Sequence, residues 1–350
     1  MKQAPLFYIV YDAIDNATFR QQVIKPLLKK CKKNAEQKAY IIHFEQQKML
    51  LAALNLLAPD EKNIEIITLK KLPYLGTLSL WYAAQQLKKV LKQYDYFQLI
   101  ARGAHAGIIC RYAHDNKRCT SFIIQAHELL AEQYAYAQAD KQQNRFKKTL
   151  CALKIWQLKA IERKAYNNVQ QTYPVTIEAI STALKEYLIA TFDTERENII
   201  VAAHEDNVDA IAQETCHEWK NATRKELKID NDAIVYCYNG SLEPSQRPEM
   251  IIDFFKDAYN KNTNAFLLIL TPYAQQFNAL LQQNDIAQKN YCVMSVNHDE
   301  IYRYMAAGDI GILFRTPHIV NWVSRPADAL HYQAVNLAIA HNDTVAWLMR

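Results

Sequence analysis

Residues 310–340 read IGILFRTPHIVNWVSRPADALHYQAVNLAIA. The apolar run Ile310–Phe314 is short and ends at a charged residue, as is typical of a buried strand. Pro326 suits the first turn of a helix, which we predict over residues 327–335, and a second apolar run, Leu337–Ala340, follows it. A strand, a helix and another strand in this order predict a parallel βαβ unit.

The same alternation of short apolar runs and helical segments continues along the whole chain. Further strands are predicted at Leu6–Tyr11, Tyr40–Phe44, Ile64–Leu69, Phe97–Ala101, Phe122–Gln125, Ala233–Tyr238, Ala265–Leu270, Tyr291–Val296 and Val345–Met349. Helices are predicted at 17–33, 77–93, 142–168, 175–190, 246–259 and 272–283. This order, repeated in each half, predicts an α/β protein with two parallel sheets wrapped by helices.

The length of 350 residues fits two domains. The stretch 200–230 is polar, and we expect the boundary there, with an N-terminal domain of residues 1–205 and a C-terminal domain of residues 206–350. Charge differs between the two parts. Residues 1–200 hold 29 Lys and Arg against 18 Asp and Glu, whereas residues 201–350 hold 12 against 18. A basic part joined to an acidic part suggests different partners, and ordinary surface variation is the alternative.

Composition excludes several classes of protein. The chain has only six glycines, whereas average usage would give roughly 24, and their positions form neither G-x-G-x-x-G nor G-x-x-x-x-G-K-[ST]. Seven cysteines without a C-x-x-C pair indicate reduced thiols in a cytosol. The N-terminus resembles a strand rather than a signal peptide, and no apolar run is long enough to span a bilayer. We therefore expect a cytoplasmic protein.

Ligands of open parallel sheets bind beyond the carboxyl ends of the strands. The residues that follow the predicted strands are therefore candidates for a site. They are Arg102-Gly103 and His127-Glu128 in the first half, and Asn239-Gly240-Ser241 and Arg315 in the second.

The segment Tyr238–Leu242 predicts a phosphate site. A strand ends there, Gly240 allows a tight turn beside Ser241, and a helix begins a few residues later after Arg247. Backbone N–H groups at a helix start attract phosphate, and an arginine there can bind a diphosphate through two N–H groups. The alternative is an ordinary Asn-Gly turn before a helix.

Residues after the strand Ile310–Phe314 extend this candidate site. Arg315 stands at the strand end, where it would meet an anionic ligand, and Asn321 lies on the connection that follows. His331 and Tyr332 in the next helix are candidates to reach a ribose. A surface salt bridge is the alternative for Arg315, and a histidine on the helix surface is the alternative for His331.

The order of these segments resembles family 4-like glycosyltransferases of the GT-B fold. Tyr238–Leu242 is similar to the family's Y-x-G-S/R-L motif. Glu300–Arg315 is similar to E-V-x-x-Y-L-x-A-A-D-I-G-I-L-x-R, and Val323–Ala340 to V-x-S-P-x-K-F-x-E-Y-L-A-x-G-L-P-V-I. In the first half, Leu99–Gly103 resembles the family's H/A-R-S/G strand end, and Glu162–Val169 resembles its E-x-x-x-x-x-x-A-D stretch.

The resemblance implies two Rossmann-like domains whose parallel sheets face an interdomain cleft. The N-terminal domain would hold the acceptor and the C-terminal domain the nucleotide sugar, and the C-terminal domain would lack the family's final crossover helix. The activity would be retaining transfer of a sugar from a nucleotide-diphosphate sugar to a glycan or lipid-linked acceptor in surface polysaccharide assembly. The donor is a substrate, and no metal or other cofactor is expected.

The resemblance also implies roles for individual residues. Arg247 and Arg315, with the turn at Gly240 and Ser241, would stabilise the charge that develops on the leaving diphosphate. The remaining assignments are His127 on the donor sugar, Asn321, His331 and Tyr332 on the donor, and Arg102 and His105 at the acceptor entrance.

Several positions depart from the family pattern, among them Gln125, which stands where the family has an aspartate. Asp328 stands where the family has lysine, His331 stands where it has the glutamate that holds the ribose, and Asn336 stands where it has the glycine of Gly-Leu-Pro. These departures favour the alternative of a non-catalytic GT-B-like binding or scaffold protein with a degenerate donor site.

The helix predicted around residues 145–164 is both basic and amphipathic. Its seven Lys and Arg residues are interleaved with leucine and isoleucine. Such a helix can dock on an anionic membrane that carries a lipid-linked acceptor, and an ordinary surface helix is the alternative. A location at the inner face of the membrane would follow. Nucleic acid is not an expected partner, since the second half is acidic and no nucleic-acid module is recognisable.

Overall fold

The computed structural model describes residues 4–12, 23–33, 37–45, 63–73, 76–139, 145–167, 173–202, 210–297 and 300–349. The chain divides into two compact units, Met1–Asn207 and Val208–Arg350. The boundary expected between residues 205 and 206, like the start of the helix predicted from residue 17, lies outside the described residues.

The N-terminal unit is built on a parallel sheet of seven strands in the order β3-β2-β1-β4-β5-β6-β7. The strands are β1 (Leu6–Val10), β2 (Ala39–Glu45), β3 (Ile64–Lys70), β4 (Phe97–Arg102), β5 (Cys119–Ala126), β6 (Thr176–Ala179) and β7 (Ile199–Val201). The helices are α1 (Lys25–Lys33), α2 (Thr77–Leu91), α3 (Gly103–Ala113), α4 (Leu130–Ala139), α5 (Arg145–Tyr166) and α6 (Thr182–Phe192). Every residue of β1 is buried, which explains its unbroken apolar sequence.

The C-terminal unit repeats this plan with five parallel strands in the order β10-β9-β8-β11-β12. The strands are β8 (Ile234–Asn239), β9 (Ala265–Leu270), β10 (Tyr291–Met294), β11 (Ile310–Leu313) and β12 (Ala338–His341). The helices are α7 (Gln213–Glu226), α8 (Pro248–Lys261), α9 (Ala274–Gln283), α10 (Ile301–Met305), α11 (Ile319–Trp322) and α12 (Ala327–Ala334). In both units the winding direction reverses beside the first strand, between β1 and β4 and between β8 and β11. A reversal of this kind opens a crevice at the carboxyl ends of the two strands.

The predicted α/β class with two parallel sheets is confirmed, and ten predicted strands match observed ones to within a few residues. The prediction of a helix over 175–190 is wrong at its start, because Thr176–Ala179 forms β6 between β5 and β7. The predicted strand Val345–Met349 is also wrong, since Ala346–Leu348 forms a turn of 3-10 helix. The polar stretch expected to carry the boundary includes helix α7, whose mostly charged and polar sequence hid it.

Glu162 connects two helices of the N-terminal unit. Its carboxylate, on α5, accepts hydrogen bonds from the backbone N–H groups of Leu130 at 2.6 Å and Ala131 at 3.4 Å, in the first turn of α4. The residue is only 1% exposed. Burial raises its pKa from 4.5 to about 7, although the two N–H groups act in the opposite direction. A buried acid therefore caps α4.

This capping acid predicts a dependence of stability on pH. The unfolded chain releases the Glu162 proton near pH 4.5 and the folded chain near pH 7, so the unfolded state binds fewer protons in between. We expect the contribution of this residue to the free energy of unfolding to fall as the pH rises through that window, by up to about 1.4 kcal/mol per pH unit. Above about pH 7 the Glu162 contribution to the free energy of unfolding should no longer change with pH.

Urea unfolding across this pH range checks the prediction. Glu162→Gln has no titrating group, so its stability should fall less steeply with pH than that of the wild type. Glu186→Gln is the control, because Glu186 is an exposed residue that pairs with Arg196, and it should keep the wild-type slope in this window. The same slope in Glu162→Gln and the wild type would contradict the prediction.

Candidate functional site

The first group of predicted residues lies at the carboxyl end of β8. Gly240 follows this strand, and its N–H donates to the Leu270 carbonyl at 3.2 Å. A β-carbon on Gly240 would collide with the side chains of Tyr238 and Gln246, so this position requires glycine. The Ser241 N–H donates to Gln246 Oε1 at 3.1 Å. The loop is thus held in one shape with its backbone close to buried side chains.

The side chains of Tyr238 and Gln246 hold this loop through hydrogen bonds with Ser241 and with each other. The Tyr238 hydroxyl lies within hydrogen-bond distance of Gln246 Oε1 at 2.5 Å and of the Ser241 carbonyl at 2.7 Å. Burial raises the pKa of this phenol, which keeps it protonated and able to donate. Sequence reasoning did not single out Gln246. An amide two residues before helix α8 was the available signal, but its contact with Tyr238 depends on how the loop folds back.

Arg247 stands between this loop and helix α8, which begins with Pro248. Its φ of 51° lies in the left-handed region, which costs a residue with a side chain roughly 1–2 kcal/mol. The Arg247 Nε lies 2.5 Å from Glu249 Oε1. The Thr316 N–H donates to the Ser245 carbonyl at 3.0 Å, so the loop before Arg247 meets the segment that follows β11.

Arg315 follows β11 and is held by an ion pair. Its Nη2 donates to Asp328 Oδ2 at 2.7 Å, and its side chain is only 11% exposed. The Asn342 side chain accepts from the Arg315 N–H at 3.1 Å and donates to the Arg315 carbonyl at 2.8 Å. The cation predicted to meet an anionic ligand is therefore paired with a carboxylate of this same unit. Arg315 is one of the predicted site residues, and Asp328 is the residue that stands where the family pattern has lysine.

Tyr332 joins helix α12 to both central strands. Its hydroxyl accepts from the Asn239 N–H at 2.8 Å and donates to the Ile312 carbonyl at 3.2 Å. The side chain is completely buried, which raises the pKa of the phenol well above its ordinary range. The side-chain nitrogen of Asn239, Nδ2, lies 3.5 Å from Asp328 Oδ1. Tyr332 and Asp328 therefore contact the strand ends directly, and Tyr332 does so as a buried support.

His331 and Asn321 lie on the two short helices near β11. The buried His331 ring packs on the Tyr302 ring of α10, with 5.4 Å between the ring centroids. The Asn321 side chain donates to the Thr316 carbonyl at 2.7 Å, one residue beyond Arg315. The Asn321 side chain thus orders the connection after β11, whereas the His331 ring contacts α10.

The N-terminal unit has a polar cluster at its own reversal point, beside β1 and β4. Arg102 ends β4 and His105 lies in the first turn of α3. His105 Nδ1 is 2.9 Å from Asp12 Oδ1 and 3.1 Å from Asp12 Oδ2. Asp12, which follows β1, was not predicted, although its position at a strand end was the available signal.

His127 lies farther along the same edge, after β5. Its Nε2 is 3.4 Å from Gln125 Oε1, which also accepts a hydrogen bond from the Tyr8 hydroxyl at 2.5 Å. The Gln125 amide donates to Glu178 Oε2 at 2.7 Å. Arg102, His105 and His127 are therefore carried by the carboxyl ends of neighbouring strands, β4 and β5.

Metal-binding clusters and membrane-spanning helices are both absent from the described residues. No cluster of three or more His, Cys, Asp or Glu side chains in the described ranges could hold a metal ion. Within the same ranges, no helix is both long and apolar enough to cross a membrane.

Three solved structures resemble this chain over nearly its whole length. A glycosyltransferase from Rickettsia africae aligns with a TM-score of 0.64 at 11% identity, covering 99% of this chain and 80% of that one. WaaG, a glycosyltransferase involved in lipopolysaccharide biosynthesis, aligns with a TM-score of 0.59 at 12% identity, covering 98% and 82%. The lipopolysaccharide outer core galactosyltransferase WaaB aligns with a TM-score of 0.60 at 12% identity, covering 97% and 81%.

These likenesses confirm the predicted GT-B fold with two Rossmann-like domains. No protein-family model and no curated protein matches the sequence. Fold alone does not determine activity, so function has to be argued from the site.

Proposed function

We propose that this chain is a retaining glycosyltransferase that moves a sugar from a nucleotide-diphosphate sugar to a glycan or lipid-linked acceptor in surface polysaccharide assembly. One observation carries the proposal. In a chain whose fold matches glycosyltransferases, the Gly240–Ser241 loop, the start of α8 and Arg315 share the carboxyl edge of β8 and β11. That edge is where doubly wound sheets bind nucleotides.

The donor diphosphate would bind at this edge of the C-terminal unit. Arg247 and Arg315 would stabilise the negative charge that develops as the diphosphate leaves, with no metal required. Support for Arg247 comes from its left-handed backbone, because strained residues cluster at functional sites. Asn321 would order the loop after Arg315, and His331 and Tyr332 remain assigned to the donor. Tyr332 would act through the Asn239 backbone that it supports.

The N-terminal unit would hold the acceptor. Arg102 and His105 are assigned to the acceptor entrance, and His127 to the donor sugar. Support comes from their places at the ends of adjacent strands and from the Asp12 carboxylate, which sets the orientation of the His105 ring. A lipid-linked acceptor would place the chain in the cytoplasm at the inner face of a membrane.

The Arg315–Asp328 ion pair favours a second candidate function. A diphosphate that binds Arg315 must compete with the Asp328 carboxylate, whose charge would also repel it. In a non-catalytic GT-B-like binding or scaffold protein with a degenerate donor site, Arg315 would stay paired with Asp328 and no diphosphate would replace the carboxylate.

Calorimetric titration with UDP, GDP and a panel of nucleotide sugars tests these candidates. We expect wild-type protein to bind at least one ligand, and Arg315→Ala to bind it at least about tenfold more weakly, since a hydrogen bond to a charged group contributes about 1.5–3 kcal/mol. Asp328→Lys should bind more tightly, because it replaces a repelling carboxylate with a cation. Arg303→Ala is the control, because Arg303 pairs with Glu226 and Glu300 away from this edge, and it should bind as the wild type does.

The outcomes separate the two functions. Binding by the wild type that is weakened in Arg315→Ala, followed by sugar transfer to an acceptor, supports the enzyme. Binding by Asp328→Lys alone supports the degenerate site. If neither protein binds any member of the panel, the donor site proposed here is refuted.

A further inference from the structure

Helix α5 (Arg145–Tyr166) has two halves with different surroundings. Its C-terminal half packs into the N-terminal unit, where Leu158, Ile161 and Ala165 are buried. Its N-terminal half is largely exposed, and every side chain from residue 146 to residue 150 is open to solvent. We call residues 146–156 the exposed segment.

The exposed segment carries four large apolar side chains. Phe146 is 72% exposed, Leu150 51%, Leu153 51% and Trp156 68%. They are spaced by four, three and three residues, which places them along one side of the helix. Isolated apolar residues are ordinary on protein surfaces, but a contiguous apolar row marks an interaction site.

The charged residues of the exposed segment are all basic. Lys147 and Lys148 are exposed, and Lys154 follows them along the helix. Lys159, beyond the segment, pairs with Glu132 of α4. The first acidic residue of α5 is Glu162, which is buried and caps α4. The exposed segment therefore combines a row of apolar side chains with charged residues that are all lysines.

This combination selects among possible occupants. A second copy of the segment would bring like charges together, which opposes pairing. A bilayer with anionic lipids complements both features, because its headgroups attract lysine while its interface accepts tryptophan, phenylalanine and leucine. We propose that the exposed segment of α5 docks in the interface of an anionic membrane, with its apolar row turned towards the acyl chains. The proposal does not depend on the reaction that the chain catalyses.

Co-sedimentation of the full chain with vesicles, without nucleotide sugar, tests this proposal. Vesicles of phosphatidylcholine alone are compared with vesicles that also contain phosphatidylglycerol. We expect binding to the anionic vesicles to be at least about tenfold stronger, since each lysine near such a surface contributes about 1 kcal/mol. Binding should weaken as salt rises, because salt screens the attraction.

Two variants distinguish the apolar row from the charges. Phe146→Ser with Trp156→Ser should abolish binding to anionic vesicles, and Lys147→Glu with Lys148→Glu should remove the preference for them. Tyr273→Ser, at an exposed residue of the C-terminal unit, is the matched control and should bind as the wild type does. Thermal melts and nucleotide titrations of each variant would separate a docking defect from unfolding or a lost donor site.

Three results would overturn the proposal. The first is a wild-type protein that binds neither kind of vesicle or binds both equally. The second is unchanged vesicle binding by a folded Phe146→Ser, Trp156→Ser variant. The third is a wild-type dimer, seen by light scattering, that this variant converts to a monomer, because the segment would then be an interface between copies.

Discussion

Replacement of Arg224 by methionine should destabilise the C-terminal unit by at least about 1–3 kcal/mol, the cost of leaving buried acceptors without their donor. Arg224 is only 3% exposed on helix α7. Its Nη2 donates to Asp309 Oδ2 at 2.7 Å, and its Nε donates to the Ala307 carbonyl at 2.9 Å. Its Nη1 donates to the carbonyls of Asn231 at 3.0 Å and Ala233 at 3.1 Å.

The effect should be large because Arg224 is the centre of a network. Asp309, just before β11, also accepts from the Val235 N–H at 2.7 Å and from Lys220 at 2.5 Å. Burial acts to raise the pKa of Asp309, but these donors together hold it below its ordinary value. Without Arg224, three carbonyl groups lose a donor, and the carboxylate loses the more deeply buried of its two cations.

Urea unfolding followed by tryptophan fluorescence measures this loss. Arg303→Met is the matched control, because Arg303 pairs with Glu226 of the same helix at a more exposed position. Its cost should stay below about 1 kcal/mol. A cost for Arg224→Met no larger than that of the control would show that the buried network contributes little to stability.

Gly311→Ala should also destabilise the C-terminal unit, by about 1–3 kcal/mol or more, because the core has no room for a methyl group. A β-carbon on Gly311 would lie 2.5 Å from Cγ of the Tyr332 ring. Any shift of this ring would strain the hydrogen bonds that Tyr332 makes with Asn239 and Ile312. The substitution should therefore lower both stability and nucleotide-sugar affinity.

A double-mutant cycle with Tyr332→Ala attributes the loss to this contact. Tyr332→Ala alone should be destabilising, because it removes a buried ring and its hydrogen bonds. Combined with Gly311→Ala, the cost should be less than additive, since alanine lacks the Cγ and Cδ atoms that the added methyl group would meet. Additive costs, measured by urea unfolding, would place the origin of the Gly311 effect elsewhere.

Most of the fold could be predicted from the sequence because the strands are short apolar runs bounded by polar residues. Strand β6 escaped because Thr176–Ala179 leads directly into a sequence with helical character, and its pairing with β5 and β7 overrides that tendency. Helix α7 escaped because its sequence is mostly charged and polar, and because one of its buried residues is Arg224, of a type that pattern reasoning places at the surface.

The candidate site was predictable to the level of strand ends. Gly240, Arg315 and His127 follow strands, Arg102 ends one, and parallel strands bring their carboxyl ends to one edge. Their partners were not predictable. Asp328 was visible as a departure from a family pattern, but its ion pair with Arg315 joins side chains on different elements and depends on side-chain conformation.

The sequence by itself determined the α/β class, the parallel sheets and the strand ends from which the candidate site is predicted, because these follow from local apolar patterns and chain connectivity. Tertiary structure decided which polar side chains are paired: Arg315 with Asp328, Asp309 with Arg224, and His105 with Asp12. It also left the row from Phe146 to Trp156 uncovered. Such outcomes depend on packing between residues far apart in the chain, which no local pattern records.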